Sequence, residues 1–323
     1  MLNLMNCWLR LRVMLNKVID IFILKRKVLI MVDMHMHTIY SDGDKTVEQV
    51  LKMCEDKNLE YISITDHNTT KQYGDEAFNK NIFTGKIIKG AEMNATFNNK
   101  KIEFLAYNIK YLEMINEWSD KFFSHEVLKE KFERDKKKII DICEKNKLVY
   151  DLNAIRKDIP VTDFFVVYMY YELVKHEENF EIMGDLAKSF NDFWKNGLAN
   201  PNCIFYMGED NSPKLMYKDV ADVIHKAGGL VFLPHPFEFR FEDTLGFIDE
   251  LRKEIQLDGI ECFHPSAEMD NRIDTLIQYA KKNNLYLSGG SDFHGDKKPN
   301  NEIGKGSGSL NIPKEYIEEW AEF

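Results

Sequence analysis

Eight side chains in this sequence could share one piece of chemistry: His35, His37, Asp42, His67, Glu92, His235, Asp292 and His294. All are ordinary ligands for a divalent ion, and nearly all stand at or just beyond the end of a short apolar run. His35 and His37 are two residues apart, so in an extended segment both imidazoles point the same way and can bind one ion together. Asp292 and His294 repeat that spacing at the other end of the chain. Packing so many carboxylates and imidazoles together without a cation would leave buried, mutually repelling carboxylates, which predicts a metal centre. His125, His176 and His225 fall in helical patterns away from such ends and are read as packed or solvated side chains. A divalent ion lowers the pKa of water from ~15.7 to about 7, and adjacent ions can clamp a phosphoryl group. Hydrolysis by metal-activated hydroxide is the expected reaction. The sequence has no Walker-type loop for nucleotide-driven transfer and no G-x-S-x-G elbow for a serine nucleophile.

The elements that must carry these residues alternate strand-like and helix-like patterns, as β/α units with a largely parallel sheet do. Strands are predicted at Val28–Met34, Tyr61–Thr65, Ile87–Glu92, Ile102–Tyr107, Leu230–Leu233, Gly259–Phe263 and Leu285–Gly289. Helical spacing appears at Thr46–Lys57, Asp219–Lys226, Thr244–Lys253 and Asn271–Lys282, with Asp44 or Thr46 capping the first. In a β/α barrel the C-terminal strand ends converge on one face, where such folds place their active sites. The stretch 111–216 reads differently, with long charged and aromatic helical patterns such as Glu126–Lys147 and Glu181–Lys195, and is expected to be a helical insertion. The catalytic barrel is then built from 31–110 and 217–323. Gly304–Ser309 reads as a loop.

Composition narrows the remaining possibilities. At 323 residues and 44% hydrophobic, the chain can bury a sizeable core. Its five cysteines are odd in number and scattered, with no C-x-x-C pair, which argues against a disulfide framework or a thiolate zinc site and for a reduced, cytoplasmic setting. A net charge of -10 argues against a broad basic surface for extended nucleic acid. The first thirty residues are apolar but broken by Arg10, Arg12, Lys17, Asp20 and the cluster Lys25–Lys27. A membrane span needs ~20 nearly uninterrupted apolar residues, and a signal peptide carries its basic residues first. The working domain is therefore expected to begin near Met31, with 1–30 an added helix or the product of an upstream start codon. No membrane association and no obligate protein partner are expected.

Five segments together resemble the PHP domain, the family named for polymerases and histidinol phosphatase. "DMHMHTIYSDG" is similar to its first motif, "ISITDHNTT" to the second, "GAEMNATF" to the third, "LPHP" to the A-H-P motif and "SGGSDFHG" to the last. Together with "GIECFHPS", the pattern resembles most the branch of small metal-dependent phosphoesterases that includes nucleotide phosphatases and a short-RNA exonuclease. The resemblance implies an α/β fold, a distorted seven-stranded (β/α)7 TIM-like barrel, holding two or three divalent ions such as Mn, Fe or Zn. It implies a trinuclear arrangement: His35, His37, Glu92 and Asp292 around one ion, Glu92 bridging to a second with His235, and Asp42, His67 and His294 around a third. One position departs from the family pattern: Glu103 stands where relatives usually carry a histidine. A carboxylate there can ligate, favouring Mn or Fe over Zn, or it can face solvent or pair with a lysine.

Five further residues complete the expectations. Asp66 either orients a neighbouring ligand or caps a turn. His264 is a substrate ligand or leaving-group acid. Arg240 either forks onto a phosphate or pairs with Glu238, Glu242 or Asp243. Lys297 and Lys298 read as solvated loop charges. The aromatics Phe164, Phe165, Tyr168, Tyr170 and Tyr171 read as insertion core, with stacking on a nucleobase as the alternative, and the insertion is expected to cap the barrel mouth. The substrate expected is a small phosphate monoester, a nucleotide or an oligonucleotide end. Metal-dependent C–N hydrolysis, as in amidohydrolases, and a non-catalytic metal-binding module are the alternatives.

Overall fold

The computed structural model describes residues 31–208, 214–268, 272–307 and 310–322. The expected extension 1–30 lies outside them, as do residues 308 and 309 of the Gly304–Ser309 stretch and residue 271 at the head of the last long helix. The chain divides into two compact units, one running to Asn116 and resuming at Leu215, the other Glu117–Lys214.

In the first unit, β1 (Met31–Asp33), β2 (Leu59–Ile62) and β3 (Lys86–Ile87) form a parallel sheet in that order. The connection from β1 to β2 contains the helix Val47–Asp56, started by a capping box in which Thr46 Oγ1 accepts from the Gln49 amide while Gln49 Oε1 accepts from that of Thr46. Its apolar stripe, Val47, Val50, Leu51 and Cys54, packs with Leu59, Ile62 and Ile64. A second, five-stranded sheet has the order β4 (Ala91–Phe97), β5 (Lys100–Tyr107), β6 (Leu230–Leu233), β7 (Gly259–Phe263), β8 (Tyr286–Gly289). Helices Tyr217–Lys226, Thr244–Glu254 and Arg272–Lys282 alternate with its last three strands, which are parallel.

Three expectations are corrected. The strand expected over Ile87–Glu92 is two elements in different sheets, because the chain leaves β3 at Ile87 and enters β4 at Ala91. β4 and β5 form an antiparallel hairpin, and β5 also pairs antiparallel with β6, so the sheet is mixed. The hairpin turns on Asn98 and Asn99, at φ 48° and 62°, two adjacent left-handed residues of the kind a two-residue turn requires and asparagine tolerates. Finally, the hydrogen-bonded sheets do not close into a seven-stranded barrel. They meet at two seams made by isolated bridges: Met36, past β1, with Phe293, past β8, and His67, past β2, with Glu92 at the start of β4. At the first seam the His37 amide donates to the Phe293 carbonyl (2.8 Å) and that of Asp292 to the His35 carbonyl (2.9 Å).

The second unit has its own core, in which Ile139 and Cys143 of helix His125–Lys145 pack with Phe165, Met169, Tyr170 and Leu173 of helix Phe165–Leu173 and with Phe193 and Phe205. The long helix expected over Glu181–Lys195 is instead a chain of short turns, interrupted at Gly184 with φ 53° and ending in a π-helical segment, Phe193–Leu198. Of the aromatic run, Phe165 and Tyr170 are buried, whereas Phe164 and Tyr171 are exposed. No helix among the described residues is long and apolar enough to cross a membrane.

Candidate metal centre

The two seams are where the chemistry collects. Beyond β1 the chain places His35 and His37, both fully buried, with their Nε2 atoms 3.1 Å apart. Glycine makes the opposing strand's approach possible: a Cβ on Gly290 would collide with the His35 backbone. That approach brings Asp292 Oδ1 to 3.6 Å from His35 Nε2 and 3.4 Å from His37 Nε2. From the second seam Glu92 reaches the same pair, its Oε2 3.3 Å from each Nε2. Neighbouring ligands about 2.0–2.2 Å from a common ion are about 2.8–3.6 Å apart in octahedral or tetrahedral geometry. These spacings fit that requirement.

Glu92 is the hub of the cluster. Its Oε2 is also 3.3 Å from His67 Nδ1, and its Oε1 lies 2.8 Å from His235 Nε2. Glu103 stands beside this pair, one oxygen 3.7 Å from His235 Nε2 and the other 3.0 Å from Lys101 Nζ, and the ligand atoms of His67, Glu92 and Glu103 lie within 4.8 Å of one another. A further group joins His37, Asp42, His67 and His294. Asp42 Oδ1 is 3.2 Å from His294 Nε2, and its Oδ2 is 3.7 Å from His67 Nε2. Asp42 is the most exposed of these carboxylates, with 54% of its side chain open. His67 Nδ1 is a buried ring nitrogen without a hydrogen-bond partner, 3.3 Å from Glu92 Oε2. A nitrogen left unpaired beside a carboxylate fits a divalent cation.

The protonation balance of the metal-free protein agrees. Burial disfavours a charged His37, but its bonds to Asp292 and Glu92 outweigh that and push it up to about 9. His235 is likewise pushed up to about 9, burial again being overcome, here by Glu92 and Glu261. Burial would raise Glu92 and Asp292, yet the surrounding imidazoles hold both carboxyls well below the usual range. His67 is lowered, burial outweighing the nearby carboxylates.

Backbone strain marks the same place. His235 has φ 27° and Asp292 φ 53°, left-handed values that cost a side-chain-bearing residue about 1–2 kcal/mol.

Asp66 lies in neither expected role alone. Its Oδ1 accepts from the Thr38 amide (2.7 Å) and Ser41 Oγ (2.6 Å), and its Oδ2 from Thr38 Oγ1 (2.7 Å). It thus ties down the loop between His37 and Asp42. Asp66→Asn is expected to loosen that loop and cut activity about 10–100-fold, the usual cost of losing an outer hydrogen-bond partner. A steady-state comparison at saturating metal checks this, with full activity counting against the assignment. His264 is buried, its Nε2 3.6 Å from Asp292 Oδ2 and its Nδ1 2.8 Å from Ser266 Oγ. Arg240 is exposed at φ 53° and, among the described residues, has no hydrogen bond or ion pair to the cluster or to Glu238, Glu242 or Asp243. Lys298 is a correction. Rather than a solvated loop charge, it is ion-paired with Asp292 Oδ2 at 2.6 Å, and Lys297 Nζ donates to the Asp42 carbonyl at 2.8 Å.

Two residues were not singled out from sequence. Glu261, fully buried on β7, meets His35 Nδ1 at 2.9 Å and accepts from the His235 amide at 2.9 Å. Burial would raise its carboxyl, but His35 and His264 hold it below the ordinary value. Asp33 accepts from Ser291 N (2.9 Å), Ser291 Oγ (2.6 Å) and Gly304 N (2.7 Å), pinning the strand of His35 to that of Asp292. A signal existed for each: Glu261 is the one charge in the run G-I-E-C-F, and Asp33 extends the two-residue spacing of His35 and His37 backward.

The family model of the PHP domain matches residues 33–228. This chain belongs to the PHP domain family. The match includes His35, His37, Asp42, His67 and Glu92 and stops before His235, Asp292 and His294, which the fold brings to the same PHP cluster. Similar proteins include the 5'-3' exoribonuclease Rnm of Escherichia coli, 24% identical over 265 residues that span 81% of this chain and 84% of that protein. Another is the phosphoribosyl 1,2-cyclic phosphate 1,2-diphosphodiesterase of Eggerthella lenta, 23% identical over 273 residues covering 81% and 94%. A Bifidobacterium adolescentis protein provisionally named a metal-dependent phosphoesterase shares the fold with TM-score 0.57 at 19% identity, over 89% of this chain and 94% of the other. A Chromobacterium violaceum protein called an amidohydrolase shares it with TM-score 0.57 at 18% identity, over 84% and 89%.

Proposed function

We propose that this PHP domain hydrolyses phosphoester bonds in a small phosphate ester, a nucleotide or an oligonucleotide end, using two or three divalent ions. The observation that carries the reading is the convergence of four histidines on the two oxygens of one buried carboxylate, Glu92. His35, His37, Glu92 and Asp292 would hold one ion, Glu92 and His235 with Glu103 a second, and Asp42, His67 and His294 a third. An oxygen-rich second set favours Mn or Fe over Zn. Bound there, divalent ions supply Lewis acidity, acidifying water and neutralising charge that develops on phosphorus oxygens.

The remaining work belongs to the protein. His264, buried beside Asp292, would hand a proton to the departing oxygen. The exposed guanidinium of Arg240, on the loop that follows His235, offers a fork for phosphate oxygens outside the ligand cluster. Asp66 keeps the Thr38–Ser41 loop, and with it Asp42, in place. The names of the exoribonuclease and of the cyclic phosphodiesterase support nucleotide-like substrates.

The test uses protein reconstituted with Mn²⁺, incubated with nucleotides, a cyclic phosphodiester and short oligoribonucleotides, alongside His37→Ala. Phosphate or nucleotide release by the wild type and not by the variant is expected. Equal release by both, or release by neither, would remove the assignment.

A further inference from the structure

Glu261 makes no approach to solvent and is not among the residues proposed to touch an ion. Its two oxygens are nonetheless both committed, and to two different ligands. Oε1 is 2.9 Å from His35 Nδ1, the ring nitrogen facing away from His37, and Oε2 accepts from the main-chain amide of His235 at 2.9 Å. The first contact favours the proton of a neutral His35 on Nδ1 and so frees Nε2, which faces His37, Glu92 and Asp292, to act as a ligand. The second contact holds the His235 backbone where φ is 27°, and with it the direction of the imidazole toward Glu92. The strand explains the placement: β7 lies between β6, which runs into His235, and β8, which runs into Asp292. A carboxylate buried this deeply is costly unless fully bonded, so its retention inside an apolar strand calls for a role.

We infer that Glu261 is a positioning residue that sets the geometry of two ion sites at once, through the ring of His35 in one and the backbone of His235 in the other. The inference rests on the metal-dependent reading above and adds a residue to which that reading assigns no ion. Glutamine is the discriminating replacement. Its amide has one acceptor, so its NH₂ must face either the His35 N–H or the His235 N–H, and one of the two braces is lost in either orientation.

Glu261→Gln is expected to weaken Mn²⁺ binding about 10–100-fold at the sites built on His35 and His235. Binding by Asp42, His67 and His294, which Glu261 does not contact, should be unchanged and serves as the internal control. Titration of the metal-free protein with Mn²⁺ against a competing chelator, with metal counted by mass spectrometry, reads both. Unchanged affinity at every site in the variant would overturn the role of Glu261 alone, and a wild type that binds no divalent ion would overturn the metal reading with it. A uniform loss at all sites would mark a merely structural residue and also overturn the role. Should the variant fail to fold, ¹⁵N NMR of the wild type loaded with diamagnetic Zn²⁺ decides. His35 must carry its proton on Nδ1, hydrogen-bonded to a carboxylate, and a bare Nδ1 would overturn the inference.

Discussion

Glu92→Gln is expected to lower kcat/KM for a hydrolysed phosphoester by on the order of 10³ or more, about 4 kcal/mol at 1.36 kcal/mol per decade. The change is isosteric, and the Glu92 backbone stays tied at the second seam by its amide to the Thr65 carbonyl (3.1 Å) and by its carbonyl to the Asn68 amide (2.7 Å). What disappears is the negative charge that faces His35, His37, His67 and His235. An amide nitrogen cannot ligate and would sit against imidazoles that need an acceptor or a cation. Metal analysis should show the loss of at least one ion, while circular dichroism shows the fold retained. Near-normal turnover with undiminished metal content would contradict the hub assigned to this carboxylate.

The second large effect is a reversal of pH dependence by metal. His37 and His235 sit at about 9 in the metal-free protein, above their ordinary value of about 6.5. A group whose folded pKa is raised stabilises the fold fully below its unfolded pKa and loses that contribution as pH climbs through the folded one. The metal-free protein should therefore lose stability from these groups between about pH 6.5 and 9. Binding an ion has the opposite slope, because each imidazole proton it must displace makes apparent affinity rise by about one decade per pH unit below 9. Thermal melts with and without Mn²⁺ across that window should diverge, the metal-induced rise in Tm growing with pH. Parallel curves would show that the ions do not compete with those protons.

How far the sequence could be read depended on whether a residue's neighbours were local. Strand-end placement and the two-residue spacing of His35 and His37 could be read because both rest on the geometry of one short segment. The cap of the first helix could be narrowed to Asp44 or Thr46 for the same reason, and the structure forms it as a capping box at Thr46. Lys298 was not legible, since its partner is chosen by the turn Gly295–Lys297, which bends it back onto Asp292. Nor was the pairing of β4 with β5, although Asn98 and Asn99 carried the signal for a tight hairpin between them. The helical reading of Glu181–Lys195 failed because apolar periodicity alone does not say that the run is broken at Gly184. A closed barrel was implied by resemblance, and its closure is a matter of hydrogen bonds at the seams that no single segment encodes.

The left-handed backbones of His235 and Asp292 set the two demands on this chain against each other. At both positions glycine would relieve the local conformation, but it would also strip a buried partner from Glu92 in one case and from His35, His37 and Lys298 in the other. The strained backbone and the charge network are therefore held by the same two side chains, and neither can drift without the other. Screening variants for thermal tolerance alone would be expected to leave these two sites untouched, even though their backbones are the most strained in the cluster.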